Sequence, residues 1–259
     1  MASRRGYRWL PAALAIAAIT VNTLDVVIQR GAWRWPAALL LVASLALTAR
    51  MALRGRVTPG MSRADVGRWA DARTLADLGT LTAQWLEGTL GSQPDYAPGS
   101  GPDEETAGLV PVLAACNRAG FVTRSSQPGL SEMAGNGARA EQRAMVAGFA
   151  SVQMGARLED AAHEAGLIVI SGPARRWRTS RADHEPVTRR NSRSLPPFSR
   201  SGALLSRRYL RWLYSGGCHP AAVTAICEAW QVTVIDPQWA CNDVLWPVLA
   251  SVAAEVSRP

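Results

Sequence analysis

Residues 10–28 (LPAALAIAAITVNTLDVVI) and 35–53 (WPAALLLVASLALTARMAL) form two apolar runs of 19 residues each. No other feature constrains this chain as much. As a helix each run would extend about 28 Å, close to the ~30 Å hydrocarbon core of a bilayer. Asn22 and Asp25 stand near the far end of the first run, where a carboxylate reaches the interface. Trp9, Trp33 and Trp35 stand at the expected water boundaries. The link over residues 29–34 is short, so the two runs read as an antiparallel transmembrane hairpin occupying residues 1–57. Arg4, Arg5 and Arg8 precede it, and Arg54, Arg56, Arg63 and Arg68 follow it, whereas the link holds only Arg30 and Arg34. That asymmetry predicts a two-span protein of the cell membrane, with the lipid bilayer as partner and both termini cytoplasmic. A secretory signal peptide is the rival reading, but no small-residue cleavage site follows the first run and a second run comes at once.

The rest of the chain reads as a helical stalk and loop over residues 58–102, then a soluble α/β domain over 103–259, with α+β as the alternative. Residues 61–90 show helical periodicity in Trp69, Leu75, Leu78, Trp85 and Leu86, with Ser62 as an N-cap. Residues 91–102 (GSQPDYAPGSGP) are a Pro, Gly and Ser rich loop. A helix follows over 105–119, its acidic start suited to a helix N-terminus and its end set by Gly120. Beyond it come a short strand at 121–123, a loop at 125–138 and a strand at 143–150. A helix capped by Ser151 runs through Glu164, and a buried strand covers 167–171. A helix over 220–230, a strand over 231–235 and a helix over 243–256 complete the chain. Alternation of strands and helices sets the fold class.

The chain carries a formal charge of +8, and all 28 basic residues are Arg. Residues 172–211 hold eleven of them against Asp183 and Glu185. No recognisable nucleic-acid module accompanies this stretch, so it reads as a solvated loop and nucleic acid is not an expected partner. Lipid contact is the second choice for it. Cys116, Cys218, Cys227 and Cys241 form no C-x-x-C pair and read as buried free thiols, with no metal site. No G-x-G-x-x-G, P-loop, G-x-S-x-G or H-E-x-x-H motif occurs, and no catalytic residue is assigned. The balance leans away from an enzyme.

The densest polar cluster without an obvious packing role is Glu105-Thr106 followed by residues 117–129 (NRAGFVTRSSQPG). A helix that runs out and a strand that returns would bring Glu105, Thr106, Thr123 and Ser126 to one concave site at a sheet edge, a usual place for small ligands. Equally, these residues could cap the turn and satisfy one another.

The blocks SRAD, ARTLADL, NRAGFVT, SQPG, CHPAAV and CEAWQVTVIDPQWACNDVLW resemble a family of uncharacterised actinobacterial proteins described only as a domain of unknown function. The same blocks distantly resemble the C-terminal regulatory domain of eukaryotic methylenetetrahydrofolate reductase, which binds S-adenosylmethionine. The carriers are Glu105-Thr106, the N-R-x-G-x-x-T-x-x-S-Q-P block from Asn117 to Pro128, and the closing VTVIDPQWACNDVLW. This resemblance implies that Glu105, Thr106, Thr123 and Ser126 bind ligand, with Thr188 as a further counterpart. It also implies that Asn117, Gly120, Gln127, Pro128, Asp236, Asn242 and Trp246 form the structural motif. A carboxylate suits a ribose diol, and hydroxyls suit ribose or adenine edges. The flavin barrel of that enzyme has no counterpart here, so no reductase activity is implied.

The resulting expectation is a membrane-tethered cytoplasmic ligand-binding or sensory module for an adenosine-type metabolite such as S-adenosylmethionine or a related nucleoside. The alternatives are a non-catalytic interaction or scaffold protein without a ligand, and an enzyme of unrecognised type. Oligomeric state is left open.

Overall fold

A computed structural model describes residues 61–94, 96, 99–133, 137–175, 185–194 and 200–256. All lie in the compact unit Arg56–Pro259. The expected transmembrane hairpin and multi-pass membrane location are not upheld. Among the described residues no helix is long and apolar enough to cross a membrane. The longest, Val152–Glu164, has 13 residues, or about 20 Å against the ~30 Å a span requires. The two apolar runs at 10–28 and 35–53 lie outside the described residues.

Seven α-helices are described. They are α1 (Arg63–Asp71), α2 (Leu75–Leu86), α3 (Val110–Arg118), α4 (Val152–Glu164), α5 (Arg207–Tyr214), α6 (Pro220–Glu228) and α7 (Leu245–Val256). Local chemistry starts most of them. Ser62 Oγ accepts from Asp65 N–H at 3.0 Å, and Ser151 Oγ accepts from Met154 N–H at 3.1 Å. At α2, Thr74 and Asp77 form a reciprocal capping box. The helix expected over 105–119 is divided. A 3₁₀ turn covers Glu104–Leu109, and α3 begins only at Val110. Pro111 has no N–H to donate backwards, so it fits the first turn of α3 and would interrupt a longer helix.

The strands are β1 (Phe121–Gln127), β2 (Leu130–Met133), β3 (Arg139–Ala150), β4 (Ile168–Pro173), β5 (Glu185–Pro186), β6 (Thr188–Arg190), β7 (Arg193–Ser194), β8 (Arg200–Ser201) and β9 (Trp230–Trp239). Seven of them make one sheet, β4-β9-β3-β6-β7 with β1 and β2 also paired to β3; β5 and β8 form a separate pair. Every pairing between these strands is antiparallel. The fold is therefore of the mixed α+β kind, with an antiparallel sheet in place of the parallel βαβ units an α/β class would contain.

The twelve-residue β3 carries this sheet. Its C-terminal part lies between β1 and β9, and its N-terminal part lies between β2 and β6. Because alternate residues point to opposite faces, Val146 and Ala150 of β3 and Val232 and Val234 of β9 share one face. There they meet Leu113 and Cys116 of α3, Leu158 of α4, and Leu245, Leu249 and Val252 of α7 in the main core. Trp69 of α1 and Leu78 and Trp85 of α2 belong to that same core, so the segment expected as a stalk packs into it. On the other face Met145, Val187 and Ile235 form a smaller cluster flanked by Ala147, Ile168 and Ile170.

Two glycines allow the close approaches that shape the site. A Cβ on Gly79 of α2 would lie 2.3 Å from the Asn117 carbonyl oxygen of α3, and one on Gly148 of β3 would lie 2.3 Å from the Val122 carbonyl oxygen of β1.

Candidate functional site

Thr106, Thr123 and Ser126 line one cleft of about 130 Å³, together with Thr82, Trp85 and Leu86 of α2, Gln93, Tyr96, Pro102, Asp103, Arg124 and Ser125. The 3₁₀ turn supplies Thr106, α2 supplies one wall, and β1 supplies the other. Glu105 is outside the lining and its side chain is exposed. Its charge nevertheless acts on the Tyr96 phenol at the cleft wall.

Four consecutive residues, 123–126, line this cleft, which a regular strand could not arrange, since alternate side chains would point away. The pairing of β1 with β3 shifts between Thr123 and Ser125, leaving Arg124 as the extra residue of a bulge. Such a bulge bends the strand and re-aims its side chains. Opposite it, Thr123 faces Gly148, Ser125 faces Ala147, and Ser126 faces Val146.

The hydroxyls differ in what they already hold. Thr123 is 7% exposed. Its Oγ1 accepts from Asn117 Nδ2 at 2.7 Å, and its N–H donates to Asn117 Oδ1 at 3.0 Å. Asn117 Nδ2 also donates to the Leu113 carbonyl at 2.8 Å. So Thr123 and Asn117 do satisfy one another, yet the Thr123 hydroxyl retains its own proton to donate. Thr106 is 6% exposed, and its hydroxyl has no hydrogen bond among the described residues. Ser125 and Ser126 likewise have none from their side chains.

The aromatic wall was not anticipated. Trp85 and Tyr96 meet edge to face with centroids 5.2 Å apart. Trp85 Nε1–H donates to the Ser100 carbonyl at 3.0 Å, and the Tyr96 hydroxyl donates to Asp103 Oδ1 at 2.5 Å. Partial burial, the bond to Asp103, and the negative charges of Asp103 and Glu105 push the Tyr96 phenol up to about 12. A signal for this wall was present, because Tyr96 lies within the 91–102 loop, Trp85 lies near the end of α2 just before it, and Trp and Tyr tips need partners when buried.

The residues expected as a structural motif hold backbone. Gly120 adopts φ +97° just past the end of α3, a conformation that favours glycine. Gln127 Nε2 donates to the Arg143 and Val187 carbonyls at 2.9 and 3.0 Å. Beyond Pro128, Asn242 grips Gly129 twice. Its Oδ1 accepts the Gly129 N–H, and its Nδ2 donates to the Gly129 carbonyl, both at 2.8 Å. Trp246 Nε1–H donates to the same Asn242 Oδ1 at 2.9 Å. Asp236 is 1% exposed; its Oδ1 accepts from Gln238 N–H at 2.8 Å. Thr188 pairs with Gln142 on β3, four positions from Val146, the partner of Ser126. That spacing is roughly 13 Å along a strand, so Thr188 does not join the other three.

No group of His, Cys, Asp and Glu able to hold a metal occurs among the described residues. A family model described as Domain of unknown function (DUF6919) matches residues 64–256. The chain belongs to that family. No curated protein matches it. The DUF6919 match carries no ligand and no source. It therefore supports neither the likeness to the reductase regulatory domain, nor an S-adenosylmethionine site, nor an actinobacterial assignment. What the DUF6919 domain presents chemically is a hydroxyl-lined cleft with an aromatic wall, one carboxylate and one guanidinium.

Proposed function

We propose that this domain is a ligand-binding or sensory module whose cleft takes an adenosine-type metabolite. The carrying observation is the placement of Thr106, Thr123 and Ser126 in one cleft beside the Trp85 and Tyr96 rings. Ring faces suit a planar base, hydroxyls suit its polar edges and the ribose, and Asp103 suits a diol. The resemblance of Thr106 and the T-x-x-S block to an S-adenosylmethionine-binding domain supports the same class and makes S-adenosylmethionine the first compound to test, although Glu105 of the same resemblance lies outside the cleft.

One observation favours a second reading, an interaction or scaffold domain without a ligand. Asn117 holds Thr123 by two hydrogen bonds, as a purely structural tie would. A thermal-shift titration of the whole chain against nucleosides, nucleotides and S-adenosyl compounds separates the two. Under the ligand reading a compound at 100 times its dissociation constant adds ~2.7 kcal/mol of stability. Thr106→Val and Ser126→Ala remove that shift while leaving the unliganded midpoint nearly unchanged. A flat response to every compound favours the scaffold reading.

A further inference from the structure

Helix α5 (RRYLRWLY) turns its two faces to different surroundings. Leu210 and Tyr214 enter the main core, whereas Arg207, Arg208, Tyr209, Arg211 and Trp212 are exposed. The Tyr209 and Trp212 rings stand one helical turn apart and meet at 5.4 Å between centroids, yet they remain 37% and 42% exposed. Aromatic rings beside arginines are the side chains enriched at the centres of protein interfaces. The helix itself does not account for the charges. Arg207 and Arg208 occupy its first turn, where the helix dipole disfavours cations.

A groove of about 460 Å³ runs between α4 and α7. Its apolar lining is small, with Ala161 and Ala165 on the α4 side and Val248 and Val252 on α7. Small side chains on one surface leave the room that large rings on a facing surface fill. Along the groove Asp160, Glu164 and Glu255 outnumber Arg157. Glu164 and Glu255 stand in the last turns of α4 and α7, where the dipole disfavours carboxylates. The chain as a whole carries +8, so this groove is a local reversal of sign, the kind of patch that steers a basic partner.

We infer that this chain self-associates head to tail: α5 of one copy lies in the α4–α7 groove of a second copy, with Tyr209 and Trp212 over the small apolar lining and the arginines against Asp160, Glu164 and Glu255. The charges that are misplaced on all three helices then meet their opposites, because the N-terminal turn of α5 comes to the C-terminal turns of α4 and α7. Within one copy the groove does not cover the rings, since both stay exposed. The two surfaces are unlike, so the contact is heterologous and repeats from copy to copy unless it closes into a ring. One helix in a groove is a small interface, which makes the association weak, and its charges make it sensitive to salt. None of this depends on whether the first cleft takes a ligand.

Analytical ultracentrifugation of the whole chain tests this. The average mass of the wild type rises with concentration and falls back as salt is added. A groove variant, Asp160→Arg with Glu164→Arg, stays monomeric, and so does a helix variant, Tyr209→Ser with Trp212→Ser. All four positions are exposed, and unchanged thermal midpoints confirm that both variants fold. Glu255→Arg, on the other wall of the groove, repeats the first result independently. Mixing the groove variant with the helix variant joins one intact α5 to one intact groove, so a one-to-one pair forms and grows no further. A wild type that stays monomeric overturns the inference, as does a mixture that fails to pair. Association that persists in either variant runs through another surface and overturns it equally. A monomer that instead binds a labelled single-stranded oligonucleotide, and loses it in the helix variant, assigns α5 to nucleic acid and overturns it too.

Discussion

Asn117 and Thr123 are joined twice, through Asn117 Oδ1 to the Thr123 N–H at 3.0 Å and through Asn117 Nδ2 to Thr123 Oγ1 at 2.7 Å. The pair ties the last turn of α3 to the third residue of β1 with no exposure of the amide to water. Asn117→Ala leaves the Thr123 N–H, the Leu113 carbonyl and the Thr123 hydroxyl without this partner. A cost of about 1–3 kcal/mol is expected for such unsatisfied buried groups. Denaturant midpoints measure it, and a change close to zero would show that water replaces the amide freely.

Trp246 anchors the C-terminal helix beneath the sheet and is 7% exposed. Trp246→Ala should cost ~3–5 kcal/mol for the lost aromatic volume. It also removes the N–H that steadies Asn242 on Gly129. At Gly129 itself a Cβ would lie 2.2 Å from the Cys241 carbonyl oxygen and 2.6 Å from its nitrogen. Gly129→Ala must therefore force backbone apart and lower the thermal midpoint clearly. An unchanged midpoint in Gly129→Ala would contradict the close pairing of these two segments.

The four thiols should react unequally. Burial pushes Cys116 and Cys218 each up to about 12 and raises Cys227. All three are buried, whereas Cys241 is only partly so. Alkylation of the native chain at mildly alkaline pH, read by peptide mass spectrometry, should label Cys241 first. The other three should wait for unfolding, since only an accessible thiolate reacts. Early labelling of Cys116 would place it outside the core.

Alkaline pH should weaken the fold through Tyr96. Its phenol ionises near 10 when unfolded and at about 12 when folded. A raised folded value means the stabilisation is fully present below about pH 10 and is lost as pH rises towards about 12. The chain has no Lys to titrate in this window. Tyr96→Phe should therefore flatten the alkaline loss relative to wild type, the buried thiols contributing equally to both. Identical slopes would mean that the Tyr96 bond to Asp103 contributes nothing to stability.

Local signals were legible and remote ones were not. Ser62, Ser151 and Pro220 announce helix starts because a cap acts within three residues, and the helices begin next to them. The end of β1 was not visible, because Ser125, Ser126 and Gln127 have little intrinsic strand preference. They are held in the sheet by β3, some twenty residues on. The same holds for Asn242 on Gly129 and Gln231 on Leu205, where an amide takes over a backbone pairing far away in sequence. Thr106, Thr123 and Ser126 could be grouped from the order helix then strand alone. Glu105 could not be excluded that way, because the tight 3₁₀ turn points it outward while burying its neighbour. Tyr96 meets Trp85 of α2 at the cleft through the 91–102 loop, whose position no periodicity describes.

The order of the sheet has a consequence for synthesis of the chain. β9 lies between β3 and β4, yet it is the last strand made. A ribosome that has released residues up to β4 has produced two strands that cannot find each other, with an empty lane between them. Pairing of β3 with β9 must close a loop of roughly 90 residues, the kind of distant contact that slows folding. Completion of the sheet during translation must therefore wait until β9 emerges, and a truncation reaching back through β9 would strand β4 without its partner rather than merely trim an edge.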